Sequence, residues 1–154
     1  MKHTLNGDPA AVQAELIKGA LVDERNQYGW TALTHAARQN QTATMAVLLD
    51  AGADINIQDE EGWTPLMRAA SKGSNAATQL LLQRKANTEA TDKDGWTAIM
   101  WAANRGELES LENLIRAGAN VNVKSRDGRT AYTIARNEGY NDILLLLKKA
   151  GAKQ

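Results

Sequence analysis

The sequence predicts an all-α fold, a solenoid of stacked helix-turn-helix units with short turn fingers. Three observations predict it. Gly29, Gly62, Gly95 and Gly128 recur at equal steps of 33 residues, the mark of one supersecondary unit repeated along the chain. Behind each glycine a threonine (Thr31, Thr64, Thr97, Thr130) precedes a short helical segment, alanine-rich in the first three units, as a helix-capping hydroxyl does. Farther on, the pairs Leu48 and Leu49, Leu81 and Leu82, and Leu114 and Ile115 mark the core-facing stripe of a second helix.

From the N-terminus, Gly7-Asp8-Pro9 falls one period before the start of a second helix, with Asp8 as the cap and Pro9 at the first helical position. Gly19-Ala20 then matches Gly52-Ala53. The first unit is therefore a half repeat, either a natural cap or the remnant of a longer precursor whose leader has been removed. Four full units follow, with turns beginning near Asn26, Asp59, Asp92 and Ser125. The chain is one domain, 1–154, with a half repeat at 1–25 and repeats at 26–58, 59–91, 92–124 and 125–154. In the first helices the paired alanines (Ala36 and Ala37, Ala69 and Ala70, Ala102 and Ala103) are small enough for neighbours to approach closely. A single helix pair cannot bury its apolar face, so stability comes from stacking the units.

Between the glycines the chain runs GWTALTHAARQN, GWTPLMRAASKG, GWTAIMWAANRG and GRTAYTIARNEG, followed by LLDAGADIN, LLQRKANTE and LIRAGANVN. These segments resemble the ankyrin repeat family, whose pattern is G-x-T-P-L-H-x-A-A-x-x-G followed by x-L-L-x-x-G-A-D-x-N. The resemblance covers 7–154. The chain departs from that pattern in several places: Thr34, Met67, Met100 and Thr133 stand where the family favours histidine, and the proline survives only at Pro65. Lys85 replaces the glycine found at Gly52 and Gly118, where a left-handed residue costs a non-glycine roughly 1 kcal/mol. A remodelled helix end is expected there. Asn40 replaces the equivalent of Gly73 and Gly106, a change asparagine tolerates better.

Composition narrows the function. Eighteen basic and eighteen acidic residues give zero formal charge, which disfavours nucleic acid and anionic membranes as partners. No apolar run approaches the roughly 18 residues of a membrane span, and 1–7 lacks the apolar core of a signal peptide. The absence of cysteine removes thiol nucleophiles and sulfur metal sites. Histidine is confined to His3 and His35, and His35 is followed by alanines rather than a ligand spacing, as a groove or packing histidine would be. DKDG at 92–95 lacks the remaining ligands of a calcium loop, and the sequon at Asn40 is discarded as a chance match. No catalytic residue, metal site or cofactor is expected, and the free protein is expected to be a monomer.

Binding residues are sought in the turns and on the first helices. Asp59, Glu60, Glu61, Asp92, Asp94 and Asp127 fall in the fingers, while Arg38, Arg68, Lys72 and Arg105 fall on first helices. A groove with acidic tips and a basic floor is expected. Trp30, Trp63 and Trp96 each stand one residue past a turn glycine, Trp101 lies on the first helix beside Trp96, Tyr28 sits in the first fingertip, and Arg129 takes the tryptophan's place in the last repeat. Resemblance to the family places that position near the concave surface, where designed binders are diversified. Two explanations fit the row: an aromatic ladder that stiffens the fingers, or a set of hot-spot rings offered to a partner. Four tryptophans without one phenylalanine are an odd way to build a core, and recognition is the preferred account.

The resemblance implies a protein-binding module without enzymatic activity. A looser similarity, to ankyrin self-protection proteins of predatory bacteria, implies a stoichiometric inhibitor. On that reading the fingers occlude the active-site cleft of a hydrolase, a penicillin-binding-protein-type cell-wall endopeptidase, in the periplasm. The alternative is a cytoplasmic scaffold or host-directed effector without inhibitory action.

Overall fold

A computed structural model describes residues 6–153, and His3 lies outside the described residues. Among the described residues there are nine helices and no strand. They are α1 (Pro9–Ile17), α2 (Ala32–Arg38), α3 (Thr42–Asp50), α4 (Pro65–Lys72), α5 (Asn75–Gln83), α6 (Ala98–Arg105), α7 (Leu108–Arg116), α8 (Ala131–Glu138) and α9 (Asn141–Lys149). After the lone α1 they form four pairs, each a first and a second helix. The expected all-helical repeat solenoid is what the chain adopts.

Local chemistry explains the helix starts. Asp8 accepts hydrogen bonds from the backbone N–H groups of Ala10 and Ala11, with Pro9 as the first helical residue. Thr31, Thr64 and Thr130 cap α2, α4 and α8 by accepting from the backbone N–H three residues on. Thr97 departs from expectation: it holds the cap position of α6 without a side-chain cap bond, and its buried Oγ1 has no partner.

The first helices α2, α4, α6 and α8 pack most extensively on one another. The paired alanines of α2, α4 and α6 are wholly buried, which is what the close approach requires. Leu48, Leu81 and Leu114 seal the second-helix side, whereas Leu49, Leu82 and Ile115 pack only partly buried against the same core. Loops after the second helices are tied in series, Asn87 N–H to Asn56 Oδ1 (2.8 Å) and Asn120 N–H to Glu89 Oε1 (2.9 Å), so each repeat hydrogen-bonds the next along that edge. Lys85 keeps the left-handed conformation of the glycine it replaces, at φ 63°. The expected remodelling of that helix end does not occur, because Ala86 N–H still bonds Leu81 C=O at 2.9 Å and holds the chain reversal.

Candidate protein-binding surface

Each finger is closed by its own first side chain. Asn26 Oδ1 accepts from the N–H groups of Tyr28 and Trp30, Asp59 Oδ1 from those of Glu61 and Trp63, and Asp92 Oδ1 from those of Asp94 and Trp96. Ser125 does the same for the N–H of Arg129. Asp59 and Asp92 are therefore not tip charges. They are 7% and 5% exposed, turned inward to hold the turn, and the acidic tips reduce to Glu60, Glu61, Asp94 and Asp127, all exposed. Successive fingers are joined by backbone bonds, Lys93 N–H to Glu61 C=O at 3.2 Å and Arg126 N–H to Asp94 C=O at 3.0 Å. That closeness explains the turn glycine. A Cβ on Gly62 would stand 3.0 Å from the Asp92 Cα, at a φ of +82° that other residues rarely adopt.

The remaining oxygens of the two aspartates bind first-helix side chains. Arg68 on α4 donates to Asp59 Oδ2 from Nε (3.0 Å) and Nη2 (2.5 Å), and Trp101 on α6 donates to Asp92 Oδ2 from Nε1 at 2.8 Å. Both carboxylates are thereby satisfied although almost sealed from water.

These same groups build a stack along the fingers. The Arg68 guanidinium lies 4.6 Å from the Trp30 ring centre and 4.2 Å from that of Trp63. Trp63 meets Trp101 at 4.1 Å, Trp101 meets Trp96 at 4.5 Å, and Arg129 covers Trp96 at 4.9 Å. Arg38 approaches the far side of the series, 5.8 Å from Trp30. Each tilted ring pair contributes about 0.5–1.5 kcal/mol beyond area burial, and each guanidinium over an indole about 0.5–2 kcal/mol, more as water is excluded. The geometry is a mixed ladder of indoles and guanidinium groups. Trp96, expected to offer its face to a partner, is 6% exposed. With Trp101 and Arg129 against it, it supports the surface from beneath.

Two adjoining clefts open above the ladder. One, of about 440 Å³, lies between the first two fingers and is lined by Asn26, Tyr28, Trp30, His35, Glu60, Glu61 and Arg68. The other, of about 370 Å³, is lined by Arg38, Trp63, Arg68, Ser71, Lys72, Arg105 and Glu107. Arg68 is their shared wall. The structure thus brings Tyr28, Trp30, Glu60, Glu61 and Arg68 together in the first cleft, and Arg38, Trp63, Arg68, Lys72 and Arg105 in the second. Asp94, Trp96, Trp101 and Arg129 line neither.

Among the lining residues, Asn26, Ser71 and Glu107 were not singled out as binding residues, and His35 was weighed only as a groove or packing residue. The period held the signal for His35, which stands one step before Arg68. Burial, with the Arg38 charge adding to it, holds the His35 imidazole below its ordinary pKa of 6.5. At the far end, Asp127 Oδ1 accepts from Ser125 and Oδ2 from Arg129, which hold its carboxyl below the usual range. Arg129 thus pairs with an acid of its own finger while covering Trp96 of the finger before it.

Among the described residues no helix is long and apolar enough to cross a membrane, and no group of three or more histidine, aspartate or glutamate side chains could hold a metal ion. A family model described as ankyrin repeats (three copies) matches residues 1–92 and 75–154. Comparison with the curated proteins gave no match.

Proposed function

Because the chain belongs to the ankyrin repeat family, whose repeats are protein-interaction modules, we propose that it binds a partner protein through the finger side of its first three full repeats. The observation that carries this reading is the convergence of Tyr28, Trp30, Glu60 and Glu61 around one open cleft that adjoins the basic floor. A cleft with an aromatic wall and a few placed polar groups is the surface type in which hot spots concentrate.

The finer reading is a stoichiometric inhibitor whose projecting fingertips enter the active-site cleft of a partner hydrolase, a cell-wall endopeptidase of the penicillin-binding-protein type. Its support is the looser family resemblance, together with the placement of the exposed Tyr28, Glu60, Glu61 and Asp94 at successive tips. Pull-down with the whole chain followed by mass spectrometry identifies the partner. The partner's turnover is then titrated with the protein. Inhibition complete at one equivalent, and weakened by Tyr28→Ala, is the expected result. A partner that stays fully active when saturated makes the protein a scaffold.

A further inference from the structure

The floor cleft is unbalanced in charge. Arg38, Arg68, Lys72 and Arg105 line it against the single carboxylate of Glu107. Arg68 is neutralised by Asp59. Arg38, Lys72 and Arg105 form no ion pair among the described residues, although they come from α2, α4 and α6 and share one cleft. In a chain of zero formal charge this is a local surplus, and like charges held together in a concavity repel one another until an anion joins them.

We propose that this floor takes a carboxylate from the partner, an aspartate or glutamate side chain on the segment that lies along the fingers; the inference rests on the reading above that this face binds protein. Two features favour a carboxylate over a phosphoryl group. Glu107 lines the same cleft, and Glu60 and Glu61 line the adjoining one, so the second charge of a dianion adds repulsion from three carboxylates that a monoanion does not carry. The Arg68 fork, which would otherwise grip a phosphate bidentately, already holds Asp59. Arg38, Lys72 and Arg105 offer three donors of one sign around a small space, enough for the two oxygens of a single carboxylate.

A random-peptide display library is selected on the immobilised whole chain, and the enriched peptides are measured against the wild type, Tyr28→Ala and Arg105→Glu. Arg105 is exposed at the end of α6, and circular dichroism verifies that the variant keeps its fold. Enrichment in acidic residues is expected, with affinity falling roughly tenfold or more in Arg105→Glu and on Glu→Gln exchange in the peptide, the two changes being non-additive. Peptides that need Tyr28 but carry no acid, or that tolerate Arg105→Glu, overturn the carboxylate while leaving the binding face standing. Peptides indifferent to both variants remove the face as well. Acetate and inorganic phosphate are titrated separately while the Trp63 indole N–H resonance is followed. A shift that saturates earlier with phosphate and needs Arg105 reassigns the site to a phosphoryl group and overturns the proposal.

Discussion

Arg68 and Trp101 stand one repeat apart and perform the same task with different chemistry, each donating to the Oδ2 of the aspartate nine residues earlier, Asp59 and Asp92 respectively. Where the turn residue carries no charge, the partner changes too. Asn26 is matched by His35 and Ser125 by Ile134 at the same spacing. A sealed carboxylate needs a second donor, whereas an amide or hydroxyl does not. The ladder is therefore a product of turn chemistry as well as of aromatic packing.

Trp101→Phe tests that pairing. It keeps a ring between Trp63 and Trp96 but leaves Asp92 Oδ2 without its donor in a residue 5% exposed. A loss of about 1–3 kcal/mol is expected in urea denaturation. Adding Asp92→Asn, the amide equivalent of Asn26, is expected to recover part of that loss. A single mutant that melts with the wild type would show that the finger does not depend on this bond.

Tyr28 and Trp63 separate binding from support. Tyr28 is 60% exposed, so Tyr28→Ala is expected to change stability by no more than about 0.5 kcal/mol while weakening partner binding by about 2 kcal/mol, near thirtyfold. Trp63 lies between Arg68 and Trp101, and Trp63→Ala is expected to lose about 2–3 kcal/mol of stability in addition to affinity. Thermal melts and calorimetric titrations on both variants check the split. Normal binding by Tyr28→Ala would remove the first cleft from the interface.

Lys85 and Asn40 share a positive φ, 63° and 59°, yet opposite outcomes are expected on replacement by glycine. Lys85→Gly relieves the left-handed strain and is expected to stabilise by about 0.5–1 kcal/mol. Asn40→Gly is expected to give no gain, because Asn40 Oδ1 accepts from the Ala77 N–H at 2.8 Å and ties two repeats together. Chemical denaturation of the two variants side by side decides it.

His35 predicts a pH dependence. Burial favours the neutral imidazole, so the folded chain titrates below 6.5 and the unfolded chain near it. As pH falls through 6.5 toward the folded value, the unfolded state takes up the proton first, and stability declines until both states are protonated. Above that window the contribution is constant. Stability measured against pH is expected to fall less steeply in His35→Gln than in the wild type, and identical slopes would exclude the imidazole as the source.

Much of the fold was legible because it is written in a period. The glycine steps, the threonine caps and the Asp8-Pro9 start each specify backbone conformation through one residue, and sequence order suffices to find them. Side-chain direction across layers is not periodic in the same way. Trp101 inserts between Trp63 and Trp96 because its helix turns the indole toward the fingers, and nothing in residue spacing distinguishes that from a ring facing outward. The inward turn of Asp59 was hidden for a related reason: an aspartate at a fingertip and one closing the turn occupy neighbouring positions and differ only in which N–H groups lie within reach. The Thr97 cap failed because a threonine marks a helix start without ensuring that its hydroxyl is used.

The contiguity of Trp63, Trp101 and Trp96, with ring centres 4.1 and 4.5 Å apart, makes their optical behaviour collective. Excitation absorbed by one indole is shared with its neighbours, whose ring planes are held at tilts of 38° and 42°. The exciton coupling this allows in circular dichroism spans the second and third full repeats, with Trp30 outside it behind Arg68. Of the two contacts only Trp63–Trp101 crosses from one repeat to the next, so loss of its share of the coupling, with that of Trp96–Trp101 retained, marks the moment those repeats part, and the chain carries its own optical gauge of whether its central repeats are still stacked.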